Sequence, residues 1–156
     1  MNKNNSIITG LGSLLALVLS LPLEWMTIHN AEMQFTGGFQ GFGEMMSSSF
    51  GRMTLTVTGI NGHITFLVKL PIWLIIVIGL IGVLLALLNC LRAASLPKLV
   101  PLIPLSLSTL YVVVALVITI GSSQATVGVG IFVALLGLLL GYIHALTYRF
   151  TSEDRA

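Results

Sequence analysis

Charge is what this chain has least of. Five carboxylates and seven Lys and Arg side chains make up 8% of 156 residues, against about 25% charged residues in an ordinary soluble domain. Cysteine is almost as scarce: Cys90 stands alone, which excludes an internal disulfide and any two-cysteine redox centre. Net charge is only +2, and the basic residues are scattered. The isoelectric point near 9.0 therefore reflects missing acids and carries no nucleic-acid footprint. With 56% of the residues hydrophobic, most of the surface is suited to lipid rather than water.

Three stretches hold no charge at all: 20 residues between Lys3 and Glu24, 22 between Lys69 and Arg92, and 50 between Lys98 and Arg149. Crossing the hydrocarbon takes about 20 helical residues. The longest stretch is divided by Gly121-Ser122-Ser123-Gln124-Ala125-Thr126, a polar, turn-forming hexapeptide that makes it a helical hairpin. The reading is an all-α membrane protein, a single four-span domain over residues 1–156. Its spans lie near residues 6–23, 71–91, 99–120 and 127–148, each helical because backbone amides in lipid find no other partner. Pro97, Pro101 and Pro104 gather at the entry to the third span, where missing amide donors matter least.

Sidedness follows from the cations. Lys3, Arg92, Lys98, Arg149 and Arg155 fall at the termini or the second connection, whereas the first connection holds only Arg52 and Lys69. The positive-inside rule then puts both termini in the cytoplasm and loop 24–70 outside, in the periplasm or beyond the cell. The first helix follows a lysine as a signal peptide does, but it lacks an A-x-A site and has a long core, so it reads as an uncleaved anchor.

Small residues recur at helical spacing. Gly130, Ala134, Gly137, Gly141 and Ala145 step by four, three, four and four, and Gly79, Gly82, Ala86 and Asn89 form a second stripe. Such faces admit a neighbouring backbone, and packing within the bundle is expected there. In the outer loop the period changes: Thr54-Leu55-Thr56-Val57-Thr58, then Asn61-Gly62, then Ile64-Thr65-Phe66 reads as a small β-hairpin with a two-residue turn. Before it, Phe35, Phe39, Phe42 and Phe50 interleave with glycines. That segment is the candidate docking surface for a partner. Trp25 and Trp73 fall where indole anchors at the membrane interface are expected.

Ionisable groups are missing from the predicted hydrocarbon depth, which speaks against ion-coupled transport. His144 is the only histidine within a span. Paired axial haem ligation by this chain alone is thus excluded, and His144 is left as a single candidate cofactor contact. His29 and His63, with Glu24, Glu32 and Glu44, match no metal-ligand spacing, so no metal is expected. Ser47-Ser48-Ser49 lacks the context of a nucleophile elbow. An enzyme is not expected. No resident cofactor is expected either, although bound lipid, quinone or pigment has room in such a bundle.

Leu21-Pro22-Leu23-Glu24-Trp25 closing helix one, Thr58-Gly59-Ile60-Asn61-Gly62 before helix two and Gly128-Val129-Gly130 opening helix four resemble small, uncharacterised four-span bacterial membrane proteins. That resemblance implies topology and a place in the bacterial cytoplasmic membrane, but no activity. The span order with a strand-bearing first loop is also similar to claudin-like proteins, without their W-G-L-W and loop cysteines. Three functions follow as expectations. The first is a non-catalytic accessory or scaffold subunit of a respiratory or photosynthetic type of complex, with membrane lipids and other membrane subunits as partners and no nucleic acid. The second is a small-molecule or lipid binder or transporter using Glu24, Asn89 and His144. The third is a claudin-like self-associating protein.

Overall fold

The computed structural model describes residues 3–29, 54–65, 69–91, 97, 99–123 and 125–153. Among them are four helices, α1 (Lys3–Ser20), α2 (Ile72–Cys90), α3 (Leu102–Gly121) and α4 (Val129–Glu153). Five short strands complete the described elements: β1 (Glu24–His29), β2 (Thr54–Thr58), β3 (His63–Thr65), β4 (Lys69–Pro71) and β5 (Ala125–Val127). Three helical segments are long and apolar enough to cross a membrane: α2, α3 and Val129–Leu146 of α4. The corresponding stretch of α1, Asn4–Ser20, is shorter. By length and composition these helices point to an integral membrane protein.

The helices are apolar on both faces, as lipid requires. On α2, Ile72, Ile75, Ile76, Gly79, Gly82, Val83, Ala86, Leu87 and Cys90 are buried. Trp73, Val77, Ile81, Leu84 and Leu88 point outward. α1 packs along α4 and against α2, while α3 packs on α2 and α4. Leu17, Val83, Leu105 and Leu138 belong to the shared core. Helix entries match their sequence chemistry. Pro101 stands just before α3 and Pro104 in its first turn, where no intrahelical donor is lost. Pro71 precedes α2, and the Ile72 amide donates to the Gly62 carbonyl at 2.9 Å.

At one end of the bundle lies a three-stranded antiparallel sheet in the order β2-β1-β5. In β1, Thr27 lies opposite Thr56 of β2 on one side and opposite Thr126 of β5 on the other. The expected hairpin is corrected here. The strands lie where alternation places them, but β2 pairs with β1, and β3 pairs with β4 in a separate two-stranded ladder. The turn between β2 and β3 explains the parting. Asn61 Oδ1 accepts the Thr58 amide at 2.7 Å, and the Gly62 amide reaches the Thr58 carbonyl at 3.0 Å. The Gly62 carbonyl is then taken by α2, which draws the chain toward that helix rather than back along β2. Replacing Asn61 by alanine removes the side-chain acceptor of this turn. It is expected to cost about 1 kcal/mol, readable as a lowered unfolding midpoint in detergent.

The polar hexapeptide before α4 does turn the chain, but its end continues into β5, an element too short for alternation to announce.

Candidate functional site

Two places gather polar side chains onto otherwise apolar scaffolding: the sheet end of the bundle and the opposite end, where α1 begins. The sheet end is organised by Trp25. The register of β1 against β2 shifts between Glu24 and Met26, and such a bulge re-aims the residue it contains. Trp25 is consequently fully buried, the largest side chain so placed, and its Nε1 donates to the Ser20 carbonyl at 2.8 Å. The interface-anchor role expected for Trp25 is thereby corrected: its ring sits inside the junction of sheet and bundle. Trp73, by contrast, is 46% exposed on the outer face of α2.

The ring of Trp25 lies on the entry to α4. A Cβ at Gly130 would come within 2.5 Å of Trp25 Cδ1 and 2.8 Å of the Glu24 carbonyl. The Gly128 amide donates to the Trp25 carbonyl at 2.8 Å. One residue thus ties α1, β1 and α4 together.

Beside this junction the sheet carries a shallow groove of about 240 Å³, lined by Met26, Ile28, Thr56, Val57, Asn61, Gly62 and His63. Apolar and polar side chains share its wall. The aromatic candidates Phe35, Phe39, Phe42 and Phe50 lie outside the described residues, as do Glu32, Glu44 and Ser47-Ser48-Ser49. Among the described residues no group of three His, Cys, Asp or Glu comes together to hold a metal ion.

Within the bundle, four hydroxyls donate to backbone carbonyls of the same or a facing helix. Ser13 Oγ of α1 donates to the Gly137 carbonyl of α4 at 2.6 Å, and Ser108 Oγ of α3 donates to the Ile75 carbonyl of α2 at 2.9 Å. Thr119 Oγ1 reaches the Ala115 carbonyl at 2.7 Å, and Ser20 Oγ reaches the Leu17 carbonyl at 2.7 Å. The small-residue stripes make these approaches close. At Gly79 a Cβ would stand 2.9 Å from Ser108 Oγ, at Gly82 2.8 Å from Leu105 Cγ, and at Gly141 3.0 Å from Val83 Cγ2. Ala134 is fully buried between Gly130 and Gly137.

The three polar residues expected to form a ligand site are not gathered. Glu24 is exposed at the start of β1 and accepts a hydrogen bond from Thr27. His144 is fully buried near the other end of α1, bonded through Nδ1 to Ser6 Oγ at 3.0 Å. From Ser6 to Ser20 the helix rises about 20 Å, so Glu24 and His144 lie on opposite ends of the bundle. Asn89 is half-buried one turn from Ala86, whose backbone lies beside the His144 ring. The sequence singled out His144 by its isolation but gave no hint of Ser6, because a lone serine in the first turns of a helix carries no pattern.

Comparison with protein-family models, curated proteins and solved structures gives no match. Function therefore has to be read from the residues.

Proposed function

We propose that this chain is a four-span, non-catalytic scaffold or accessory subunit of a larger membrane assembly, of the respiratory or photosynthetic type. Its termini face the cytoplasm of a bacterial cell and its sheet faces outward. The observation that carries this reading is how the interior polarity is used. The hydroxyls of Ser13 and Ser108 donate to backbone carbonyls of a facing helix, which is the chemistry of helix association in lipid, and those of Ser20 and Thr119 donate to carbonyls of their own helix. Among the described residues, the sheet end exposes Glu24, Thr56, Asn61, His63 and Thr126. A chain built this way contributes shape and a docking face. The predicted result is that extraction in mild detergent, followed by size-exclusion chromatography and mass spectrometry, recovers the chain in one defined high-mass complex with other membrane proteins. A monodisperse monomer across gentle extraction conditions would refute the scaffold role.

A second reading is favoured by one feature. β5, from the connection between α3 and α4, completes the sheet with β1 and β2 from the connection after α1. Two connections joined in one sheet present a single rigid face, as self-association of a claudin-like kind would need. Chemical cross-linking in native membranes separates the two readings: a ladder of homomers supports self-association, and a unique heteromeric product supports the scaffold.

A further inference from the structure

Methionine is distributed unevenly along the chain. Apart from Met1, every methionine lies between positions 26 and 53: Met26, Met33, Met45, Met46 and Met53. None stands in α2, α3 or α4, where leucine, isoleucine and valine fill the apolar positions. Methionine is an ordinary filler of apolar interiors. Its confinement to the connection after α1 therefore singles out what leucine lacks, a soft thioether sulfur.

Met26 lies in the middle strand β1, opposite Val57 of β2 and Val127 of β5, and is half-buried. It lines the groove beside the sheet together with His63. Val57 links the two, because a Cβ at Gly62 would run into Val57 Cγ1 and His63 is the next residue. The backbone there is set from several sides. The Gly62 amide donates to the Thr58 carbonyl at 3.0 Å, the Gly62 carbonyl accepts the Ile72 amide at 2.9 Å, and His63 pairs with Pro71 in the β3–β4 ladder. Asn61 Oδ1 is taken by the Thr58 amide. The sulfur and ring-nitrogen donors of the groove are thus Met26 Sδ and the exposed imidazole of His63, and no carboxylate lines it.

This donor set selects among cations. Zinc takes four ligands drawn from thiolate, imidazole and carboxylate, and among the described residues no group of three His, Cys, Asp or Glu comes together. Calcium and magnesium require a shell of oxygens. Thioether and imidazole instead suit copper(I), a soft ion satisfied by fewer ligands. In the proposed orientation the groove faces the side of the membrane where thiols are oxidised to disulfides, and a thioether does not pair in that way.

We propose that Met26 and His63 form a binding site for a soft monovalent cation, copper(I), in the groove beside the sheet. The sulfur and one imidazole nitrogen each supply a lone pair. Both ligands are neutral, no proton is released, and the bound ion keeps its single positive charge. The site goes beyond the scaffold role and does not depend on it.

The test titrates silver(I), a redox-inert stand-in for copper(I), into the full chain in lipid nanodiscs, by calorimetry in a chloride-free nitrate buffer. Met33, Met45, Met46 and Met53 carry thioethers of their own, so the parent for the titration is the variant in which all four are replaced by leucine. That parent is expected to bind a single silver ion. Adding Met26→Leu or His63→Gln is expected to weaken binding at least about tenfold, with the ion-free unfolding midpoint unchanged, whereas His29→Gln leaves the affinity as it was. The proposal is overturned by absence of saturable binding in the parent, by an affinity that neither Met26→Leu nor His63→Gln alters, or by displacement of silver(I) with equimolar zinc. Should Met26→Leu fail to fold, the ε-methyl resonance of Met26 in the parent decides. A shift that saturates at one equivalent of silver(I) supports the site, and a resonance that does not move overturns it.

Discussion

Replacing Trp25 by alanine is expected to destabilise the folded chain by about 3–5 kcal/mol, the range for truncating a buried large aromatic. Three losses coincide at this residue. The largest fully buried side chain is removed from the junction, the Ser20 carbonyl loses its indole donor, and the entry of α4 at Gly130 loses the ring it was shaped around. Trp25→Phe keeps most of the apolar area and drops only the Nε1 donor, so its cost should be nearer the ~1–3 kcal/mol of an acceptor left without its partner. Denaturant titration in detergent micelles, followed by circular dichroism, measures both. The variants should also respond differently to a methyl at position 130: Gly130→Ala should be severe in the wild type and milder beside Trp25→Ala. Simple addition of the two costs would mean that the ring and the glycine do not share the space the structure gives them.

That junction also marks the limit of what composition and periodicity reveal. The helices were legible because their signal is redundant: some twenty consecutive uncharged and mostly apolar residues define each of α2, α3 and α4, and no single residue decides the outcome. Glycine and alanine spacing likewise indicates where backbones approach, since Gly79, Gly137 and Gly141 could only be spacers or defects. Strand partners are different. Alternation in Thr54–Thr58 announces a strand but not its neighbour, and the choice of β1 over β3 is made by the Thr58–Asn61 turn together with the capture of the Gly62 carbonyl by Ile72. Position near a membrane edge made Trp25 look like an anchor, yet a one-residue bulge in β1 turned it inward. The Ser6–His144 pair spans 138 positions, a separation at which one sequence by itself holds no record of contact. What escaped sequence reading is therefore the set of single long-range contacts, and those are the contacts that form the candidate sites.

Gly137→Leu is expected to detach α1 from α4, at a cost of about 3 kcal/mol, the upper part of the range for overfilling a packed site. Even a bare Cβ at Gly137 would stand 3.0 Å from Leu17 Cγ, 3.1 Å from the Leu17 backbone nitrogen and 3.2 Å from Ala16 Cβ. Leucine adds three further carbons where part of the opposing wall is backbone, which cannot rotate away. The insertion also falls at the carbonyl that accepts Ser13 Oγ, so relief of the clash would break that bond. Gly12→Leu provides the contrast, because a Cβ there meets nothing within 4 Å and its side chain should be nearly silent. The comparison bears on the proposed first span. Seventeen residues from Asn4 to Ser20 rise about 25 Å, short of the roughly 30 Å of hydrocarbon, and they include Thr9, Ser13 and Ser20. On its own such a helix would be a marginal crossing, and in the proposed four-span arrangement its close fit to α4 would stabilise it there. Accessibility of an N-terminal tag in intact cells, measured alongside the unfolding midpoint, should therefore change in Gly137→Leu and not in Gly12→Leu. Equal midpoints and equal tag exposure in the two variants would show that α1 holds its place without α4.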